Sequence, residues 1–403
     1  MPTPTDELRA LEATHILQVY RRLPIAFARG KGSYLYDIDG REYLDLVSGI
    51  GVASLGHAHA GLAAALADQA RTLVHTSNLY YHSLQGQVAS RLAKLSGLPR
   101  AFLCNSGAEA VEGCLKFARR YWHTRGETNR KGIVALERSF HGRTFGALSV
   151  TWDEHYRTPF APLVDGVTFV PPDDPAALMA AVSPTTAAII IEPIQGEGGV
   201  WPLTPTFART IDEICQQTGT LLIADEVQCG LGRTGHPFYF SVLGLRPQLV
   251  AIGKALGGGM PVAAALISQE VAAAIAFGDH GSTYGGNLLA CRAALVFLDA
   301  LVDGGVLAQV RRTGAHLERG LRSLASRQTR ILDVRGAGLL WGIELNSDAA
   351  PVVDAALGRG LLINRTAGTV VRLLPPLTIT EAEIDSALSM LEAALATLRV
   401  GVS

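Results

Sequence analysis

The chain has 403 residues, 48% of them hydrophobic and 18% charged, with a formal net charge of −1. That balance excludes the broad basic surface that nucleic acid binding requires, and no uninterrupted apolar run reaches membrane-spanning length. A chain of this size outgrows a single core, so two unequal domains are expected.

The opening stretch, MPTPTDELRALEATH, carries early acids and no basic segment leading into an apolar one. It is expected to be a short helix or arm of a cytoplasmic protein, not a signal or transit peptide. Next, GHAHA places His57 and His59 in an H-x-H spacing. No cysteine or carboxylate cluster accompanies them, so no metal site is expected. Cys104, Cys114, Cys215, Cys229 and Cys291 are widely spaced without a C-x-x-C pair. They fit reduced thiols with no bridges.

Apolar runs of strand length then alternate with helical stretches. AFLCN (101–105) leads into GAEAVEGCLKFARRYW, AAIIIEP (187–193) follows a loop, TLLIADE (220–226) follows PTFARTIDEICQQTG, and LVAIGKA (249–255) follows RPQ. Continuous apolar strands separated by helices predict a mostly parallel sheet covered on both faces, the α/β class. From about Leu301 the pattern changes to a long amphipathic helix, short strands in GAGLLWGIEL, GLLINRT and VVRLLPPL, and a closing helix. This reads as a smaller α+β domain.

Ligands of open α/β sheets sit beyond the carboxyl ends of the strands, and several such ends here carry polar groups. Ser106-Gly107-Ala108-Glu109 fits a capping box, and equally a helix N-terminus where Gly107 lets backbone N–H groups approach a phosphate. Asp225 and Glu226 end TLLIADE as helix-capping acids, or as a carboxylate facing a pyridine nitrogen. Glu192 and Glu197 lie on the glycine-rich IIIEPIQGEGG. SFHGRTFG brings together Phe140, able to stack on a planar ring, a histidine, and Arg143, suited to a carboxylate.

Lys254, in LVAIGKALGGGMP, is the one charge between an apolar run and a glycine cluster. A P-loop would need glycine at 248 and Ser or Thr at 255, where Gln248 and Ala255 stand. Two readings remain, a lysine reaching solvent along its stem, or a buried amine able to form a Schiff base.

Taken in order, HTSN, NSGAEAVEGCLKFAR, SFHGRTFGALS, IIEPIQGEGG, DEVQCGLGRTG, GKALGGGMPV, HGSTYGGNLLAC and VVRLLPPLTIT resemble the class III pyridoxal-phosphate aminotransferases of fold type I. The resemblance covers nearly the whole chain. It implies a large domain with a mostly parallel seven-stranded sheet and a smaller α+β domain. Residues 1–60 would form the arm and part of the small domain, 61–300 the large cofactor-binding domain, and 301–403 the C-terminal small domain.

The resemblance also implies roles. Lys254 would hold pyridoxal 5′-phosphate covalently and shuttle the proton, Asp225 would pair with the ring nitrogen, Gln228 would face the ring hydroxyl, and Phe140 would stack on the ring. Ser106, Gly107 and Ala108 would bind the phosphate, and Thr283 would reach the phosphate of a neighbouring subunit in a homodimer with shared active sites. Arg143, with Tyr20 nearby, would bind the distal substrate carboxylate, and Arg372 the α-carboxylate of glutamate or 2-oxoglutarate. Glu197 would pair with Arg372 and swing away for glutamate.

Within the class, HTSN, DEVQCGLGRTG and HGSTYGGN are most similar to the branch that moves the ω-amine of N-acetylornithine to 2-oxoglutarate in arginine biosynthesis. The resemblance leaves succinylornithine, a carrier-linked lysine precursor and 4-aminobutyrate open as substrates. A non-catalytic cofactor-binding regulator would carry an added DNA-binding domain, for which the short arm leaves no room. Ala58 and Ala60 depart from the family's usual residues. Ala108 stands where threonine is frequent, and a backbone amide does not depend on that side chain. Ile50 replaces the tyrosine of ornithine aminotransferases, which favours an acylated substrate.

Overall fold

The computed structural model describes residues 3–397; residues 1, 2 and 398–403, at the ends of two of the expected segments, lie outside the described residues. Seven strands form the main sheet, in the order Arg100–Cys104, Ala263–Ile267, Leu249–Ile252, Leu221–Asp225, Thr186–Ile191, Gly132–Leu136, Val167–Val170. Only Ala263–Ile267 runs antiparallel to its neighbours.

The apolar runs are continuous because both faces of the sheet are covered. Val134, Leu136, Ile189, Ile191, Leu222 and Ala224 face one core with Phe207 and Ile211 of the Pro205–Thr218 helix. Ile133, Ala135, Ile190, Leu221 and Ile223 face a second core with Val111, Cys114 and Ala118 of the Gly107–Thr124 helix. All five cysteines are free and buried; Cys104, Cys114, Cys215 and Cys291 fill these layers as small apolar groups, and Cys229 lies in a separate small cluster with Ile194 and Leu340. No single helix among the described residues is long and apolar enough to cross a membrane.

Two further four-stranded sheets lie outside this one. Phe27–Lys31, Tyr34–Asp37 and Glu42–Asp45 form a meander that pairs in parallel with Leu361–Leu362, Leu361 opposite Leu44. Ile331–Ala337, Leu340–Leu345, Val370–Leu373 and Asn364–Thr366 form an antiparallel sheet in that order. In its register Arg372 stands between Gly342 and Asn364, on an interior strand.

His57 and His59 have separate structural jobs. His57 Nε2 is 2.8 Å from Asp45 Oδ2, while His59 Nδ1 accepts the Leu62 N–H at 3.1 Å and caps the Ala60–Thr72 helix.

The Val306–Arg327 helix packs its Gly314 against backbone of Gly338, where a Cβ would come within 2.7 Å of the carbonyl oxygen. Alanine favours helix by about 1 kcal/mol over glycine, but backbone on the other side cannot move aside as a side chain can. Gly314→Ala is therefore expected to destabilise the fold by about 1–3 kcal/mol, measured as a lower urea midpoint. A raised midpoint would mean that propensity had won.

Candidate active site

Five of the singled-out groups come from carboxyl ends of parallel strands. Leu249–Ile252 ends two residues before Lys254, Leu221–Asp225 ends on Asp225, Thr186–Ile191 is followed by Glu192, Gly132–Leu136 leads to Phe140, and Arg100–Cys104 leads to Ser106. Parallel strands place all these turns along one edge of the sheet.

Lys254 is not the last residue of a strand. It opens a single 3-10 turn, Lys254–Gly257, with φ at 31°, a conformation that non-glycine residues rarely hold. Such strain of about 1–3 kcal/mol persists only where neighbours over-determine it. The buried Ser54 does so by donating its hydroxyl to the Ala255 carbonyl at 2.9 Å, and Leu256 N–H closes the turn on Gly253 at 3.0 Å. Burial pushes the Lys254 ammonium below the ordinary lysine range, with Glu197 opposing the shift and Arg372 adding to it. An amine that loses its proton more readily presents more of the unprotonated form that nucleophilic attack and proton abstraction require.

The Asp225 carboxylate is buried and held on both oxygens. Oδ1 accepts the Val227 N–H at 3.0 Å, and Oδ2 lies 2.8 Å from Nδ1 of the buried His141. His141 itself is fixed by its N–H to Thr151 Oγ1 at 2.9 Å. Each carboxylate oxygen retains a lone pair for a further donor. His141 was visible in the sequence only as the neighbour of Phe140; its tie to Asp225 joins segments 84 residues apart.

At the Gly107–Thr124 helix, Ser106 Oγ accepts the Glu109 N–H at 3.3 Å, and the Glu109 carboxylate turns back to the Asn105 N–H at 3.1 Å. The cap thereby leaves the N–H groups of Gly107 and Ala108 outside the intrahelical ladder. A Cβ on Gly107 would stand 2.6 Å from Val227 Cγ1, so glycine here lets the Asp225–Val227 turn pack against the helix N-terminus. Capping and anion binding are thus compatible on these residues.

A third cluster joins the C-terminal sheet to the main one. The side chain of Arg372 is fully buried, and its Nη1 is 2.6 Å from Glu197 Oε1 and donates to Gln228 Oε1 at 3.0 Å. Gln228 Nε2 donates to the same Glu197 oxygen at 3.2 Å, and Arg372 Nε reaches Asn364 Oδ1 at 3.4 Å. Burial raises the Glu197 carboxyl, but Arg372 and Lys254 outweigh it and hold the group below the usual glutamate range. Gln228 is engaged with this pair in the chain as it stands. The Glu197 loop is buttressed by Thr366, whose hydroxyl donates to the Glu197 carbonyl, and by Arg335, which donates to Gly199 O at 2.9 Å and stacks 3.6 Å over Trp201. These supports carry no local sequence signal.

Arg143 is exposed, 3.6 Å over the Tyr156 ring and 5.5 Å from Phe140. Tyr20 is 71% exposed, and among the described residues no hydrogen bond or ring contact joins it to Arg143. Thr283 is exposed on a loop tied down by Asn78, which donates to Ser282 O and Gly285 O at 3.0 Å each, and among the described residues no hydrogen bond joins it to Lys254. Ile50 lies at φ 62° in a run of left-handed residues, 48–51, pinned by Ser48 Oγ donating to Leu374 O at 2.5 Å.

A sequence profile of the class-III aminotransferases matches residues 17–395. The chain belongs to that family. This class-III chain is 44% identical to the acetylornithine aminotransferase of Methanocaldococcus jannaschii, over 95% of its own length and 96% of that protein's. The solved acetylornithine aminotransferase of Elizabethkingia anophelis has a TM-score of 0.87 at 31% identity, over 98% of this chain and 100% of that one. An ornithine aminotransferase of Toxoplasma gondii, described with partial occupancy of PLP at its active site, has a TM-score of 0.93 at 33% identity over 98% and 94% of the two chains. Class-III aminotransferases depend on pyridoxal 5′-phosphate, and the chain is an enzyme of that kind. Its residues fit the group: the Ser106-capped N-terminus of the Gly107–Thr124 helix, a buried acid with spare acceptor capacity, and a half-buried lysine lie along one sheet edge.

Two buried acids of this aminotransferase, Glu192 and Glu226, are pushed up to about 7, chiefly by burial. A raised carboxyl favours folding fully below the ordinary value of 4.5, and that stability is lost as pH rises through about 7. Glu226 accepts the Phe240 N–H at 2.6 Å, a role its amide can keep. Urea titrations at pH 5.5 and 8 are expected to show the native protein losing on the order of 1–3 kcal/mol more than Glu226→Gln over that interval. Equal losses would mean that Glu226 does not titrate there.

Proposed function

We propose that the enzyme transfers the ω-amine of N-acetylornithine to 2-oxoglutarate, giving N-acetylglutamate 5-semialdehyde and glutamate. The observation that carries this reading is the Glu197–Arg372 pair, 2.6 Å apart beside the half-buried Lys254. One substrate presents an α-carboxylate next to its reacting amine, and the other reacts at a carbon that bears none. A buried arginine suits the first and would be left uncompensated by the second, unless an acid neutralises it in place. The names of the relatives, acetylornithine aminotransferases among them, support the same substrate.

Bound pyridoxal phosphate supplies a carbonyl that takes the amine and a ring that accepts electrons. Lys254 would hold it covalently, and the Lys254 amine, once released, would take the proton from the donor carbon that bears the ω-amine in one half-reaction and deliver a proton to the α-carbon of the 2-oxoglutarate skeleton in the other. Asp225, held by Val227 and His141, would face the ring nitrogen with its charge. Phe140 would stack on the ring and Gln228 would face its hydroxyl. Ser106, Gly107 and Ala108 would hold the phosphate, with Thr283 of a second copy. Arg143, with Tyr20, would hold the distal carboxylate of N-acetylornithine, and Arg372 the α-carboxylate of glutamate.

We read the protein as a cytoplasmic homodimer with shared sites. The exposed Leu79, Tyr80, Tyr81, Phe277 and Tyr284, and a Pro4–His15 helix that buries nothing in its own chain, support pairing of two copies. The division into residues 1–60, 61–300 and 301–403 belongs to the same proposal.

A panel of ω-amino donors assayed with 2-oxoglutarate tests the reading. N-acetylornithine is expected to give the highest kcat/KM over ornithine, succinylornithine and 4-aminobutyrate, Lys254→Ala to abolish turnover, and light scattering to give the mass of two chains. A preferred donor other than N-acetylornithine would replace the substrate assignment.

For the gate, Glu197→Ala frees Arg372 throughout. Single turnovers should show the glutamate half-reaction retained or faster and the N-acetylornithine half-reaction slowed tenfold or more, equivalent to about 1–3 kcal/mol because Glu197 is partly open to solvent. Equal slowing of both would reduce Glu197 to a loop-shaping residue.

A further inference from the structure

Glu192 has no part in the roles above, yet its carboxylate is buried and divides its oxygens between two loops. Oε1 accepts the Phe140 N–H at 2.9 Å, and Oε2 accepts the Gly196 N–H at 3.1 Å. Phe140 is the residue read as the ring stack, and Gly196 immediately precedes the gate residue Glu197. The two loops leave different strands, Gly132–Leu136 and Thr186–Ile191.

We propose that Glu192 is a positioning residue that ties the cofactor-facing loop to the substrate-carboxylate loop, so that one carboxylate sets both sides of the site. Two N–H groups that converge on one side chain need two acceptor oxygens, which a carboxylate has and an amide lacks. A buried N–H left without an acceptor costs about 1–3 kcal/mol, so the loop that loses its oxygen moves. Gln195 adds a separate link, Nε2 to the Glu137 carbonyl at 2.8 Å, but it touches neither Phe140 nor Glu197. His141 and Asp225 lie close enough to Glu192 to bear on its charge, from the Phe140 loop and from the adjacent strand, so the bridge sits directly behind the cofactor-facing acid.

This inference rests on the reading of Phe140 and Glu197 given above, and not on which amine is the substrate. Its test uses two probes that need no turnover: pyridoxal 5′-phosphate titrated into the cofactor-free dimer, followed by absorbance, and glutarate, an unreactive dicarboxylate, titrated into the loaded enzyme. Glu192→Ala removes both acceptors and is expected to weaken each probe about tenfold. Glu192→Gln keeps one acceptor and is expected to split the effect, one probe near native and the other about tenfold weaker. Amide hydrogen exchange on peptides covering 139–146 and 193–199 should lose protection in both segments for the alanine variant, and for the glutamine variant only in the segment whose probe weakened.

A glutamine variant that is native on both probes and in both segments would overturn the proposal. So would a folded alanine variant that affects one side alone. Should the alanine variant not fold, the glutamine variant and its exchange pattern decide. Failure of N-acetylornithine in the donor panel would leave every one of these readouts interpretable.

Discussion

A guanidinium taken out of water needs a carboxylate or a set of carbonyl acceptors around it, and much of this architecture follows from satisfying that need twice. Arg372 meets it with Glu197, 175 residues earlier in the chain, together with Gln228 and Asn364. For the pair to form, the Val370–Leu373 strand of the C-terminal sheet must lie against the loop after Thr186–Ile191 of the main sheet. Arg233 meets the need only in part and without an acid, its buried Nη2 having no hydrogen-bond partner among the described residues. It donates to the carbonyls of Leu339 and Pro375, and burial alone pushes it down to about 9. With Trp341 opposite Leu373 in the sheet register, both carbonyls lie just past the C-terminal end of the strand that carries Arg372, so the second buried cation ties down that end of it.

The same docking explains the strained turns. Residues 48–51 take left-handed backbone, and Leu374, just past Arg372, is held there through its N–H to Leu46 O at 2.7 Å and its carbonyl to Ser48. Lys254 takes its unfavourable φ with Ser54 of the following segment bonded to Ala255. N-terminal residues therefore hold both the lysine turn and the end of the arginine strand. Strain of this kind is tolerated where packing leaves no alternative, and it fixes the direction in which a side chain enters the site.

How much of this could be read from residues alone follows the range of each interaction. The strands Leu221–Asp225 and Leu249–Ile252 announce themselves because two-sided burial demands apolar residues at every position. The Ser106 cap is local, three residues to Glu109, and was legible for the same reason. Lys254 was legible as an isolated charge, though the end of its strand was placed three residues too late, since a run of apolar residues does not reveal where a turn begins. Glu192 was legible only as an acid on a glycine-rich loop; that it is buried was not, because one of its two acceptor bonds reaches a segment 52 residues away while the other stays within its own loop. Arg335, Thr366 and His141 were unreadable on similar grounds: their partners are set by sheet register and loop docking, which no local spacing encodes.

Under the proposed gate, the placement of charge around Lys254 gives a reason for an acid that moves in preference to a fixed one. Glu197 favours the ammonium form of Lys254 and Arg372 opposes it, so the two members of the pair act on the lysine with opposite sign. With the pair closed, the two act against each other and burial is the largest influence, leaving the amine easier to deprotonate. If Glu197 withdraws when an α-carboxylate binds Arg372, the incoming carboxylate takes over both of its duties, neutralising the arginine and restoring a negative group near the lysine. The local charge balance is then nearly the same in the two half-reactions, although the carboxylate comes from the protein in one and from the substrate in the other. On the proposed reading, in which Lys254 would serve as base toward two different substrates, that constancy matters, and a permanently paired Arg372 would supply it only by refusing one of them.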